Sequence, residues 1–97
     1  MHAYTSGMPK LILDVPDHLL GKGLRASWDD GFRIAVRVEE GEVYLHANDA
    51  GLRSLARLLL GLTLDGVPDA AHGHLDDLGG LEEGSAGLTV GKLPDQP

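Results

Sequence analysis

Apolar and polar positions alternate most clearly over residues 32–38. Phe32, Ile34, Val36 and Val38 fall on one side of an extended chain, and Arg33, Ala35 and Arg37 on the other. A period of two puts one face in a core and the two guanidinium groups in solvent. Glu39-Glu40-Gly41-Glu42 interrupts the pattern, and Gly41 can take the positive φ of a tight turn. Alternation resumes in Val43-Tyr44-Leu45-His46-Ala47, with Val43, Leu45 and Ala47 together. The two runs predict a hairpin of strands over 32–39 and 42–47. An earlier run, Lys10-Leu11-Ile12-Leu13-Asp14-Val15, alternates in the same way and stops at Pro16, which predicts a strand over 10–15. Residues 17–30 are ambiguous. Leu19, Leu20 and Leu24 are apolar, Gly21 and Gly23 break a helical rhythm, and Asp29-Asp30-Gly31 reads as a turn.

The period then changes. Leu52, Leu55, Ala56, Leu59 and Leu62 recur at helical spacing, with Arg53 and Arg57 on the opposite face. This predicts a helix over 49–62. Asn48 or Asp49 can cap its start, and Gly61 its end. Leu58 and Leu60 flank the stripe on either side and widen the apolar sector to about 200° at 100° per residue. One sheet covers only about half of that, so a flank leucine is expected to lack a partner within the chain. A homodimer covers such a patch, and free strand edges offer a second route to the same end. In the competing arrangement residues 17–28 fold over the flank.

Two short strands are predicted near 72–76 and 87–93, linked through Gly79-Gly80-Leu81-Glu82-Glu83-Gly84-Ser85. The element order β-β-β-α-β-β defines an α+β fold: a small, mostly antiparallel sheet with one amphipathic helix on one face. Residues 1–97 are expected to form a single domain, with 1–9 and 94–97 flexible.

Composition narrows the function. Hydrophobic residues make up 42% and aromatics only 4%, so Leu, Val and Ile must build the core. The lack of cysteine excludes disulfides, thiolate metal sites and a Cys nucleophile. A net charge of −7 argues against a nucleic-acid binder, which needs a basic face. No apolar run is long enough for a membrane span, and the first residues lack the order of a signal peptide, so a cytoplasmic protein is expected. Between Arg57 and Lys92 there is no Lys or Arg, whereas Asp65, Asp69, Asp76, Asp77, Glu82 and Glu83 fall there. Such an excess of one sign suits a basic protein partner, or simply a solvated surface.

The sharpest candidate chemistry is His72-Gly73-His74-Leu75-Asp76-Asp77. On a strand, positions 72, 74 and 76 share a face. Two imidazoles and a carboxylate then resemble a Zn²⁺ or Fe²⁺ facial set, to which His46 would add a nitrogen if the strands were neighbours. The alternative is that Leu75 packs inward while His72, His74 and Asp76 hydrogen-bond at the surface. No second metal-ligand motif supports a hydrolase, and no tight metal or cofactor is expected. Ser85 lies in Glu83-Gly84-Ser85-Ala86-Gly87, which lacks the first glycine of a nucleophile elbow. Neither Gly79-Gly80 nor Gly21-Lys22-Gly23 has phosphate-loop spacing. Glu82 and Glu83, being adjacent, read as a solvated pair rather than a dyad.

Residues 32–93 resemble the immunity protein 32 family of bacterial polymorphic toxin systems. The similarity lies in the Val43–Ala47 strand, a helix opened by Gly51-Leu52, the His72-x-His74-Leu75-Asp76 strand, and Gly80-Leu81-Glu82 with Gly84-Ser85 before the last strand. Gly73 departs from the pattern, because a bulkier β-former is expected there. The resemblance implies a small α+β protein without enzymatic activity that neutralises a toxin partner, and it brings no catalytic residues. The candidate binding residues are His72, His74, Asp76, Asp77, Glu82 and Glu83.

Overall fold

A computed structural model describes residues 7–15 and 28–94. The expectations for 17–27, including the cover by Leu19, Leu20 and Leu24, and those for the extreme termini lie outside the described residues. Within them the fold is α+β, in the order β1 (Ile34–Glu39), β2 (Glu42–Ala47), α1 (Asp49–Gly61), β3 (His72–Leu75) and β4 (Leu88–Gly91).

β1 and β2 form an antiparallel hairpin with Ile34 opposite Ala47 and Glu39 opposite Glu42. Glu40 and Gly41 both take positive φ at the turn, the geometry that follows the natural twist of a two-residue hairpin. Asn48 fastens the hairpin to α1. Its Oδ1 accepts from Gly51 N and from Arg33 N, each at 2.9 Å, and its Nδ2 donates to Gly31 O. One side chain thus caps the helix and ties its first turn to the strand entry.

The strands do not make the single sheet that the alternation predicts. They form two separate two-stranded sheets, β1-β2 and β3-β4. The reason lies in residues 81–86, which occupy the second edge of β1. Glu82 N donates to Ile34 O at 2.7 Å, Ala86 N donates to Val36 O at 2.9 Å, and Ser85 Oγ accepts from Val36 N at 3.1 Å. A loop therefore satisfies an edge that another strand would otherwise take. The predicted strand over 10–15 is also absent. These residues carry no regular secondary structure and make no backbone hydrogen bond among the described residues, so their alternation finds no ladder there.

Ile34 and Val36 from β1, Leu55 and Leu58 from α1, Leu75 from β3 and Leu81 from the loop form the core cluster. Trp28 and Phe32 stack at 5.0 Å between ring centroids and pack against it. The helix presents Gly51, Ser54, Leu55, Leu58 and Gly61 inward, whereas Leu52, Leu59 and Leu60 are exposed. The buried stripe is rotated from the one that leucine spacing suggests. Leu58, expected on a flank, is in the core, and of the two flanking leucines only Leu60 reaches solvent. Gly61 is the last helical residue and the C-cap is Leu62.

Two polar contacts hold the helix in that rotation. Fully buried Ser54 accepts from Asp29 N at 2.9 Å and donates to Ala50 O at 2.8 Å. One turn on, Arg57 pairs with Asp29 Oδ1 at 2.8 Å, so helix residues grip both the backbone and the side chain of Asp29. The Arg57 end is largely shielded from solvent, and an unpaired charge left there is costly.

Candidate functional site

The candidate residues lie along β3 and the loop that follows it. His72 and His74 share one face, as the period of two requires. Their rings meet edge-on with centroids 4.8 Å apart. His72 Nδ1 lies 2.9 Å from Ala70 O, and because a carbonyl only accepts, that nitrogen carries the proton. His74 Nδ1 lies 2.8 Å from Thr89 Oγ1 on β4. Leu75 points inward and is buried.

Asp76 does not join the histidines. β3 ends at Leu75, so Asp76 opens a turn. Its Oδ1 accepts from Leu78 N at 3.0 Å, and its carbonyl accepts from Gly79 N and Leu81 N. Asp77 Oδ2 accepts from Gly84 N at 3.3 Å and closes the loop from the other side. Leu81 plugs into the core behind it. At the tip, Leu78 is 95% exposed. Internal hydrogen bonds and a buried anchor therefore hold out one large apolar side chain with acids on either side.

Glu82 and Glu83 separate, as adjacent residues do. Glu82 Oε1 pairs with Arg33 Nε at 2.5 Å, while Glu83 is exposed. The hydrogen bond that Arg33 donates to Glu82, and then the Glu82 charge, hold the Arg33 guanidinium above its ordinary pKa. That contribution is fully present below the ordinary guanidinium range and is lost only as pH rises through the higher folded value. The pair is therefore no switch near neutrality. Arg33, Ala35, His46, Asn48 and Glu82 line a shallow cavity of about 330 Å³ on the outer face of the hairpin. His46 belongs to this cavity, whereas His72 and His74 lie on the other sheet. A second depression of about 420 Å³, lined by Leu59, Leu62, Val90 and Leu93, separates the helix end from β4.

Among the described residues, no three His, Asp or Glu groups come together around a point that a metal ion would occupy. With Asp76 committed to its turn, the described residues bring only the two imidazoles together here. Protein dialysed against micromolar Zn²⁺ and then freed of excess metal is accordingly expected to retain none. Stoichiometric zinc that disappears in His74→Ala would contradict this.

Hydrophobic periodicity gave no role to Ser54, and the motif residues Gly51 and Ser85 were named without the contacts that they make with β1. It also missed Leu78, whose exposure depends on the turn made by Asp76. The Asx-turn potential of Asp76-Asp77 followed by Gly79-Gly80 was the available signal.

Among the described residues the architecture is a small α+β one, two antiparallel strand pairs and one capped helix, with an acid-flanked loop between β3 and β4. The family model for immunity protein 32 matches residues 42–93, and the chain belongs to that family. The match takes in β2, α1, both strands of the second hairpin and the loop between them. Neither a curated protein nor a solved structure matches the chain. Among the described residues, no helix is long and apolar enough to cross a membrane.

Proposed function

We propose that this protein is a non-enzymatic inhibitor that acts in the bacterial cytoplasm and neutralises a basic toxin domain through the 76–84 loop. The observation that carries this reading is Leu78, held out on a loop whose ends are tied by Asp76 and Asp77. A rigid apolar side chain loses little entropy on docking, and such anchors dominate binding when they fill a pocket. The surrounding Asp76, Asp77 and Glu83 supply a negative rim that steers a basic partner and fixes its orientation. Glu82 contributes less, because Arg33 already pairs with it. His72 and His74, on β3 before the loop, add exposed hydrogen-bonding groups to this reading.

Asp76 and Asp77 hold the loop together, so Leu78 and Glu83 give cleaner tests. Coexpression with the toxin domain encoded beside this gene should restore growth. Leu78→Asp should weaken the complex about 30-fold or more, the loss expected for a central anchor. Glu83→Lys should act mainly on the association rate, with an effect that shrinks as salt is raised. Full protection by Leu78→Asp would remove the loop from the interface. Failure of the wild-type protein to bind or protect would remove the immunity reading itself.

A further inference from the structure

We propose that two copies of this protein associate by strand addition, with Lys10–Val15 of one copy pairing along the open edge of β2 in the other. The proposal is independent of the 76–84 loop and of the toxin reading. It starts from two features with an edge that lacks a backbone hydrogen-bonding partner among the described residues, although Leu13 and Val15 are half-buried and Val15 lies near Gly61 at the end of α1. The first is the 10–15 segment, which has the alternation of a strand but makes no backbone hydrogen bond among the described residues. Its Leu11 and Ile12 are exposed, Ile12 to 94%. The second is β2. β1 has both edges occupied, by β2 and by the 81–86 loop, whereas among the described residues β2 pairs only with β1. The apolar face of β2 is also uncovered, with Val43 exposed to 63% and Leu45 and the facing Val38 exposed as well.

The two six-residue runs are complementary when laid parallel and in step. Leu11, Leu13 and Val15 then lie beside Val43, Leu45 and Ala47, and Ile12 lies beside Tyr44 on the opposite face. Lys10 falls beside Glu42, and Asp14 beside the His46 imidazole. An antiparallel alignment that places Leu11 beside Leu45 and Leu13 beside Val43 instead sets Asp14 against Glu42, a like-charge contact. A second antiparallel alignment, with Leu11, Leu13 and Val15 beside Ala47, Leu45 and Val43, keeps the apolar match but sets Lys10 beside Asn48 and Asp14 beside Tyr44, so only the parallel register gains the Lys10–Glu42 pair. Main-chain hydrogen bonds supply the attraction, as in other strand additions to a free edge. A second copy brings both halves, so each chain gives one strand and receives one.

The test is the mass of the full-length protein by sedimentation equilibrium from micromolar to submillimolar concentration. A concentration-dependent dimer is expected. Ile12→Pro removes an amide donor in the middle of the added strand and should leave a monomer with unchanged circular dichroism and melting, since Ile12 is not packed. Lys10→Glu and Glu42→Lys should each weaken the dimer about three- to tenfold, because the pair occurs twice, and the double exchange should restore it. A monomer at every concentration overturns the proposal. So does a dimer that survives Ile12→Pro but dissociates in Leu60→Glu, which would place the contact on the helix. A dimer indifferent to the charge exchange overturns the register. Protection of β2 amides that appears only on adding toxin to a monomeric protein assigns the edge to another occupant, and overturns it too.

Discussion

Gly51→Ala is expected to destabilise the protein by about 2–4 kcal/mol, although alanine is the better helix former. A Cβ at position 51 would lie 2.5 Å from Arg33 O, 2.9 Å from Ile34 Cγ1 and 3.0 Å from the Ala47 Cβ. The first of these is a backbone oxygen and cannot swing aside. Arg33 O also accepts from Asn48 N at 3.1 Å, and Asn48 is the helix cap. Relief of the clash therefore lifts the first turn of α1 off the hairpin and loosens the cap that holds it. The gain in helix propensity is at most about 1 kcal/mol, so the clash wins. For a domain of this size the melting temperature should fall by roughly 10–20 °C. Thermal and urea denaturation followed by circular dichroism would measure it. An unchanged or raised midpoint would show that the helix does not approach β1 this closely.

The hairpin was legible because its two strands alternate and its turn has a glycine at the one place that most needs it. In β1 the alternation describes the final environment as far as Val36, beyond which the hairpin projects past the core. The helix was legible in extent but not in rotation. Apolar spacing ranks leucines above glycine and serine, yet Gly51 faces inward because the backbones touch there, and Ser54 because it bonds to Asp29. Neither cause leaves a hydrophobic trace. The 10–15 run alternates like a strand yet has no ladder among the described residues, because alternation alone does not supply a pairing edge. The division into two sheets was hidden for a related reason. The 81–86 loop takes the edge of β1 with two amides and a serine hydroxyl, and none of these has a period to read.

The candidate site was legible in part. His72 and His74 do share a strand face, and Leu75 is the inward residue between them. The strand stops one residue too soon for Asp76 to follow, because its carboxylate and carbonyl both serve the next turn. A period-two argument cannot see where a strand ends. The same turn exposes Leu78, which by hydrophobicity alone would be placed inside. Glu82 and Glu83 were separable in principle, since neighbours face opposite ways, but the pairing of Glu82 with Arg33 joins residues far apart in sequence.

The rotation of the helix yields the second large effect, a contrast between two leucines. Leu58 is 3% exposed and sits among Ile34, Val36, Leu55, Leu75 and Leu81. Leu58→Ala removes buried methyl groups from the junction of both hairpins and the loop, and is expected to cost about 2–5 kcal/mol. Leu52 is 50% exposed, although it begins the most regular leucine stripe in the sequence. Leu52→Ala should cost less than about 1 kcal/mol, since much of its surface is in water in both states and alanine is slightly the better helix former. Urea midpoints of the two variants, taken with equal m-values, give the comparison directly. If Leu52→Ala cost as much as Leu58→Ala, the helix would have to turn its leucine stripe inward. Gly51 and Ser54 would then leave β1 and Asp29, and the Gly51→Ala substitution would stop being harmful. The two experiments thus test one rotation from opposite sides of the helix, and only a helix seated on Gly51, Ser54 and Leu58 gives large losses at positions 51 and 58 with a small one at 52.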